Sequence, residues 1–280
     1  MIERRIDVGE VTLAVLEDGV GGSPLLLVHG FTGAKEDFAA EVERLAGMGY
    51  HVVAPDHRGH GSSDKPEDES AYGFETFAAD MVALAGKLDW QTFDLLGHSM
   101  GGMVVQYLAL SHPHRVTRLI LMDTHHGPVG GLDGDLIALG VEVARTQGLE
   151  VIRQILKMGQ DPLTNPAYFR MLEERPGYEE WSDAKFLACS PAMYAAMLPR
   201  FHDSPDRLHT LAEVACPTLV LVGELDAPFV AASHRMAEII PDARLVVLPD
   251  GGHCPQFEAT DAWRDAVDAF LGVGAEVNAA

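Results

Sequence analysis

The sequence predicts an α/β fold: a mostly parallel sheet with helices on both faces, interrupted once by an all-helical insertion. Three observations predict it. Short apolar runs at residues 25–28, 51–54, 93–96 and 119–122 alternate with helix-period stripes, the rhythm of right-handed strand–helix–strand crossovers. That rhythm breaks at Gly127-Pro128-Val129-Gly130-Gly131 and resumes only at residues 218–222. Finally, Gly97-His98-Ser99-Met100-Gly101 joins a strand directly to a helix, a turn so sharp that its flanks need glycine.

Residues 2–17 alternate with a period of two around Asp7-Val8-Gly9-Glu10, as in an antiparallel hairpin at a sheet edge. Leu25-Leu26-Leu27-Val28 is uniformly apolar, as in a strand buried on both faces. His29-Gly30-Phe31-Thr32-Gly33 follows as a tight loop, and Phe38, Val42 and Leu45 mark a helix over 35–46. After the strand at 51–54 comes a polar, glycine-punctuated loop, Asp56 to Asp64. Phe74, Phe77, Met81, Leu84 and Leu88 then form a helix stripe. The Ser99 strand covers 93–96, its helix 100–110, and the next strand 119–122.

From 128 to 211 only helical patterns occur. Leu136, Leu139 and Val143 suggest one helix and Val151, Ile155 and Met158 a second, split at Gly148. Shorter pieces follow, broken by Pro162, Pro166, Pro176, Pro191 and Pro199. Strands return at 218–222 and 245–248. A last helix runs from Thr260, read as its N-cap, through Trp263, Val267 and Phe270. The small, polar tail from Gly272 is expected to fray. Residues 1–127 and 212–280 thus form the expected core, and 128–211 a cap over the top of the sheet, where open α/β folds bind ligands.

A chain of 280 residues, 47% hydrophobic, suffices for one large domain with an insertion. Its net charge of −22 repels nucleic acid and anionic lipid, so neither is an expected partner. Three widely spaced cysteines, Cys189, Cys216 and Cys254, suit a reducing compartment. With no apolar leader and no span long enough for a membrane helix, a soluble cytoplasmic protein is expected, as a monomer or homodimer.

An exposed serine becomes a nucleophile when a base takes its proton and a third group orients that base. Ser99 is the expected nucleophile. Of 13 histidines, His253 stands in Asp250-Gly251-Gly252-His253, just after the last strand, where glycines let the loop bend over Ser99. Asp226, in Gly223-Glu224-Leu225-Asp226, follows the penultimate strand and is the expected orienting acid, with Asp123 the alternative and Glu224 a weaker one. The backbone N–H groups of Met100, at a helix N-terminus, and of Phe31, after Gly30, are the expected oxyanion donors. His57 and His60 read as structural, and His112 and His114 as solvated. No histidine has metal-ligand spacing. The insertion is rich in methionine and aromatic residues: Met158, Met171, Met193, Met197, Tyr168, Phe169, Trp181, Phe186 and Tyr194. Most should pack the cap, and a minority should line an apolar pocket. His98, His125, Met158, Trp181 and Met197 are the expected pocket residues.

These motifs, with Asp56-His57-Arg58-Gly59-His60-Gly61-Ser62-Ser63, make residues 11–271 resemble the α/β-hydrolase superfamily. The resemblance implies an eight-stranded, mostly parallel sheet and a cap inserted after the sixth strand. It also implies a Ser99-His253-Asp226 triad with no cofactor or metal. Ser99 separates the chain from the dehalogenases and epoxide hydrolases, which carry aspartate there. His98 in place of asparagine resembles the esterases, lactonases and cofactor-free haloperoxidases more than the carbon–carbon bond hydrolases. The implied activity is hydrolysis of small apolar carboxylic esters. The alternatives are lactone hydrolysis, carbon–carbon cleavage of ring-fission products, perhydrolysis, or a non-catalytic small-molecule receptor.

Overall fold

The computed structural model describes residues 1–161 and 163–272. Pro162, read above as a helix breaker, and the tail beyond Gly272 lie outside the described residues. Eight strands form one sheet: β1 (Ile2–Asp7), β2 (Thr12–Asp18), β3 (Ser23–Val28), β4 (Tyr50–Pro55), β5 (Phe93–His98), β6 (Val116–Met122), β7 (Thr218–Gly223) and β8 (Ala243–Leu248). Their spatial order is β1-β2-β4-β3-β5-β6-β7-β8. Pairing is antiparallel for β1–β2 and β2–β4 and parallel elsewhere.

Helices α1 (Ala39–Ala46), α2 (Phe74–Lys87) and α3 (Met100–Ser111) join the first parallel strands. Between β6 and β7 lie α4 (Gly134–Gln147), α5 (Leu149–Ile155), α6 (Pro166–Glu174), α7 (Tyr178–Leu187), α8 (Pro191–Met197) and α9 (Arg200–Asp203). These are the inserted helical cap. Three more helices complete the core: α10 (Ala227–Ile239), α11 (Pro255–Glu258) and α12 (Thr260–Leu271).

The central strands are buried on both faces through their middle stretches, which is why residues 25–28, Leu95-Leu96 and residues 119–122 are apolar. Successive side chains point to opposite sides. Leu25 and Leu27 of β3 therefore pack with Phe38, Val42, Leu45, Trp263 and Val267 of the α1–α12 side. Leu26 and Val28 pack with Phe77, Met81, Val104, Leu108 and Met236 of the opposite layer. The polar loop after β4 is folded onto buried charge. Asp56 accepts from the Lys35 and Ser62 amides (2.7 and 2.8 Å), and Arg58 forms two 2.7 Å bonds to Asp80.

Three local expectations are corrected. On α4, Leu136 and Leu139 face solvent at 60% and 57% exposure, whereas Val143 is buried as expected, together with Ile137, Val141 and Ala144. The helix is apolar on more than one side, so the stripe alone could not choose the inward one. Ile155 and Met158 also point outward. Thr260 is the first residue of α12 rather than its cap, and its hydroxyl donates to the Gln256 carbonyl at 3.0 Å. In addition, α10 is absent from the sequence reading, because Ala227, Ala231, Ala232 and Ser233 dilute its stripe.

Trp263 is fully buried against the sheet, with its indole N–H on Met122 sulfur at 2.9 Å. Trp263→Ala should destabilise the fold by roughly 3–5 kcal/mol, read as a fall in the urea midpoint at unchanged m-value. A shift below about 1 kcal/mol would show that α12 does not hold this face.

Candidate active site

β5 ends at His98 and α3 begins at Met100, so Ser99 makes the turn alone. Its backbone sits at φ +52°, ψ −117°, a conformation that costs a residue with a side chain about 1–3 kcal/mol. The surrounding glycines are required by contact. A Cβ on Gly97 would lie 2.5 Å from the Gly101 oxygen, and one on Gly101 would overlap the Val28 carbonyl. The Ser99 amide donates to Met122 O at 2.9 Å and its carbonyl accepts from Thr124 Oγ1 at 2.6 Å, so both peptide groups of the turn are held.

Ser99 Oγ lies 3.0 Å from His253 Nε2, and His253 Nδ1 lies 2.8 Å from Asp226 Oδ2. A carboxylate only accepts, so Nδ1 carries the proton and Nε2 is free to accept from the serine hydroxyl. Burial disfavours a charged His253. The charge and hydrogen bond of Asp226, with the charge of Glu258, outweigh burial and raise its pKa above the ordinary imidazole value. The ring of Phe229 covers the imidazole at 4.8 Å between centroids.

Asp123 is fully buried at φ +45° and accepts from the Gly223 amide at 2.8 Å. It faces Asp226 rather than His253. Burial, then the charge of Asp226 and a hydrogen bond to it, raise the Asp123 pKa well above the carboxylate range. Two adjacent buried carboxyls cannot both ionise cheaply, so Asp123 is the neutral one. Glu224 turns away toward the Asp250 amide at 3.3 Å.

Gly30 lies against Ser99, since a Cβ there would come 3.0 Å from Ser99 Cβ. The Phe31 amide follows this glycine in the chain, and the Met100 amide follows Ser99. Neither donates to a protein acceptor among the described residues. A cavity of about 310 Å³ opens above, with Ser99, His253, His98 and Phe31 in its floor. Its apolar wall includes Met103, Leu163, Phe186, Tyr194 and Leu198. Another sector is polar, with Asp37, Lys185, Arg153 and Asn165. Lys185 of α7 pairs with Asp37 of the core and sits 3.5 Å over the Trp181 ring, tying cap to core.

Of the expected pocket residues, only His98 lines this cavity. Its Nε2 donates to the His253 carbonyl at 2.7 Å. Burial and the charge of His253 lower its pKa to about 4, so it is neutral. His125 instead turns to the Gly127 backbone and stacks on His126 at 4.5 Å. Met158 is 76% exposed, and Met197, on cap helix α8, is fully buried where the cap packs on the core. Trp181 packs on Tyr178 and Phe257 outside the lining. Asp37, Arg153, Lys185 and Glu258 were not anticipated. The first three lie far apart in sequence, whereas Glu258 follows His253 by five positions, as the last residue of α11.

Comparison with known proteins assigns the fold to a family. Residues 23–141 match the alpha/beta hydrolase fold family. A putative non-heme chloroperoxidase of Synechocystis sp. is 30% identical over 281 residues, covering 91% of this chain and 93% of its own. The chain belongs to the α/β-hydrolase superfamily. A 2-hydroxymuconate semialdehyde hydrolase of Pseudomonas putida is 31% identical, with 91% and 89% covered. A thermophilic esterase from Thermogutta terrifontis superposes with a TM-score of 0.82 at 29% identity, over 97% of this chain and 98% of that one. The chain is thus an α/β-hydrolase-fold enzyme of a family that acts on small organic molecules. No helix among its described residues is long and apolar enough to cross a membrane.

The buried Asp123 proton sets a pH dependence. An aspartate with a raised folded-state pKa holds a proton that the unfolded chain loses above about pH 4, so stability falls as pH rises toward the folded pKa. Asp123→Asn keeps the shape and removes this loss. Its urea midpoint should exceed that of the wild type at pH 8, and the gap should close toward pH 4. An equal deficit at both pH values would mean that Asp123 is ionised in the fold.

Proposed function

We propose that this α/β-hydrolase is a serine hydrolase that cleaves carboxylic esters of small, mainly apolar substrates through an acyl-enzyme. The observation that carries the reading is the hydrogen-bonded series Ser99–His253–Asp226, with Ser99 and His253 on the floor of a capped, largely apolar cavity and Asp226 buried behind them. In the proposed reaction His253 Nε2 takes the Ser99 proton as Oγ attacks the ester carbonyl. The amides of Phe31 and Met100 receive the oxyanion. His253 then gives its proton to the leaving alcohol, and a water repeats both steps on the acyl-enzyme to release the acid. Asp226 fixes the tautomer and steadies the imidazolium. None of these steps calls on a cofactor. The three free cysteines fit a cytoplasmic setting.

The polar sector of the cavity, with Arg153, Lys185 and Asp37, supports a second reading in which the substrate has a polar end, as a functionalised lactone or ring-cleavage product would. The similarity to 2-hydroxymuconate semialdehyde hydrolase supports that reading too.

p-Nitrophenyl esters from acetate to decanoate should be turned over fastest at short chain length, as a cavity of about 310 Å³ implies. Ser99→Ala should lower kcat by roughly 10³-fold or more with the urea midpoint retained. Activity surviving that substitution would remove Ser99 from the mechanism. The base must be neutral, so kcat/KM should fall on the acid side with a midpoint above the ordinary imidazole value of about 6.5. An acid midpoint well below that value would speak against a His253–Asp226 pair.

A further inference from the structure

The base His253 sits in a loop rather than in a regular element, between β8 and α11. A loop offers no ladder of backbone bonds to fix a side chain, yet Nε2 must stay within hydrogen-bond reach of Ser99. The backbone on both sides of His253 is held by one carboxylate. Glu258 Oε2 accepts from the Gly252 amide at 2.8 Å and from the Cys254 amide at 3.0 Å. The His253 carbonyl between them accepts from His98 at 2.7 Å. From the cap, Arg170 of α6 donates to the carbonyls of Asp250 (2.7 Å) and Glu258 (3.1 Å). Asn165 fills the space where a Cβ on Gly252 would lie.

We propose that Glu258 is a positioning residue for the His253 base: its carboxylate clamps the peptides before and after the histidine and so aims Nε2 at Ser99. The proposal rests on the reading of Ser99 and His253 as nucleophile and base. Charge-assisted bonds from backbone amides are about twice as strong as neutral ones, which suits a clamp at the edge of a cavity. The same carboxylate also acts on His253 through its charge. The titratable groups around that ring are Asp226 and Glu258 from the core, Asp161 from the cap, and His98 beneath it. Removing the Glu258 charge removes one stabiliser of the imidazolium, so the His253 pKa falls and the acid limb of reactivity moves to lower pH.

The test is the rate at which a fluorophosphonate labels Ser99, measured against pH for the wild type, Glu258→Ala and Glu258→Gln, with urea midpoints alongside. This readout needs no knowledge of the substrate. Glu258→Ala should slow labelling by about 10-fold or more, since a small misplacement of a catalytic group is costly. Glu258→Gln retains an oxygen that can accept both amides, so it should recover most of that rate. In both variants the acid midpoint should drop by several tenths of a pH unit. Wild-type rate and midpoint in Glu258→Ala would overturn the proposal alone. So would a Glu258→Gln variant as slow as Glu258→Ala with its acid midpoint unmoved. Failure of the wild type itself to react at Ser99 would instead sink the nucleophile assignment, and this proposal with it.

Discussion

Ser99 holds its strained backbone because α3 packs against the sheet closer than any side chain at Gly97 or Gly101 would allow. The helix N-terminus is thereby driven against the ends of β3 and β5. That approach sets where the other parts can be. The Phe31 loop leaves β3 beside the serine. The end of β6, two residues beyond its pairing with His98, brings Thr124 onto the Ser99 carbonyl. A longer turn would have relieved the strain, but it would have left the serine hydroxyl without a fixed direction. The cost of the strain is met by the apolar burial of α3 between the sheet and α2.

The acids around this turn divide by what they face rather than by type. Asp123 and Asp226 follow adjacent parallel strands and meet in a water-poor space, where only one charge is tolerable. Asp226 also meets His253, whose Nδ1 donates to it at 2.8 Å. Asp123 meets only the Gly223 amide and Asp226 itself, and so it is the one that keeps its proton. Glu258 is of a third kind. It is buried enough for its pKa to rise, mainly through desolvation, but its oxygen is occupied by two loop amides.

Much of this was legible in the sequence because the relevant constraints are local. A strand buried on both faces is apolar through its middle, and a turn in contact with a neighbouring backbone must be glycine. Thus β3, the Leu95-Leu96 stretch of β5 and the flanks of Ser99 could be read directly, and its place after the penultimate strand ranked Asp226 above Asp123. The cavity walls were not legible. Met158, Trp181 and Met197 are apolar wherever they sit, and only three-dimensional packing decides that one is solvent-exposed, one lies beneath an ammonium group and one is in the core. The Lys185–Asp37 pair spans nearly 150 positions, since its two members come from α7 and the turn before α1, and no periodicity reports such a contact.

The cap therefore does more than exclude water. Its α7 reaches the core through Lys185 and Asp37, and its α6 reaches the His253 loop through Arg170 and Asn165. Both attachments are polar and directional, whereas the cap's outer surface carries exposed Leu136, Leu139 and Met158. Apolar packing alone would let the cap settle in several nearby positions. Hydrogen bonds to backbone carbonyls at Asp250 and Glu258 fix one of them. The same bonds couple the cap's seat to the loop that carries His253, so the cavity wall and the imidazole beside Ser99 are held in one frame.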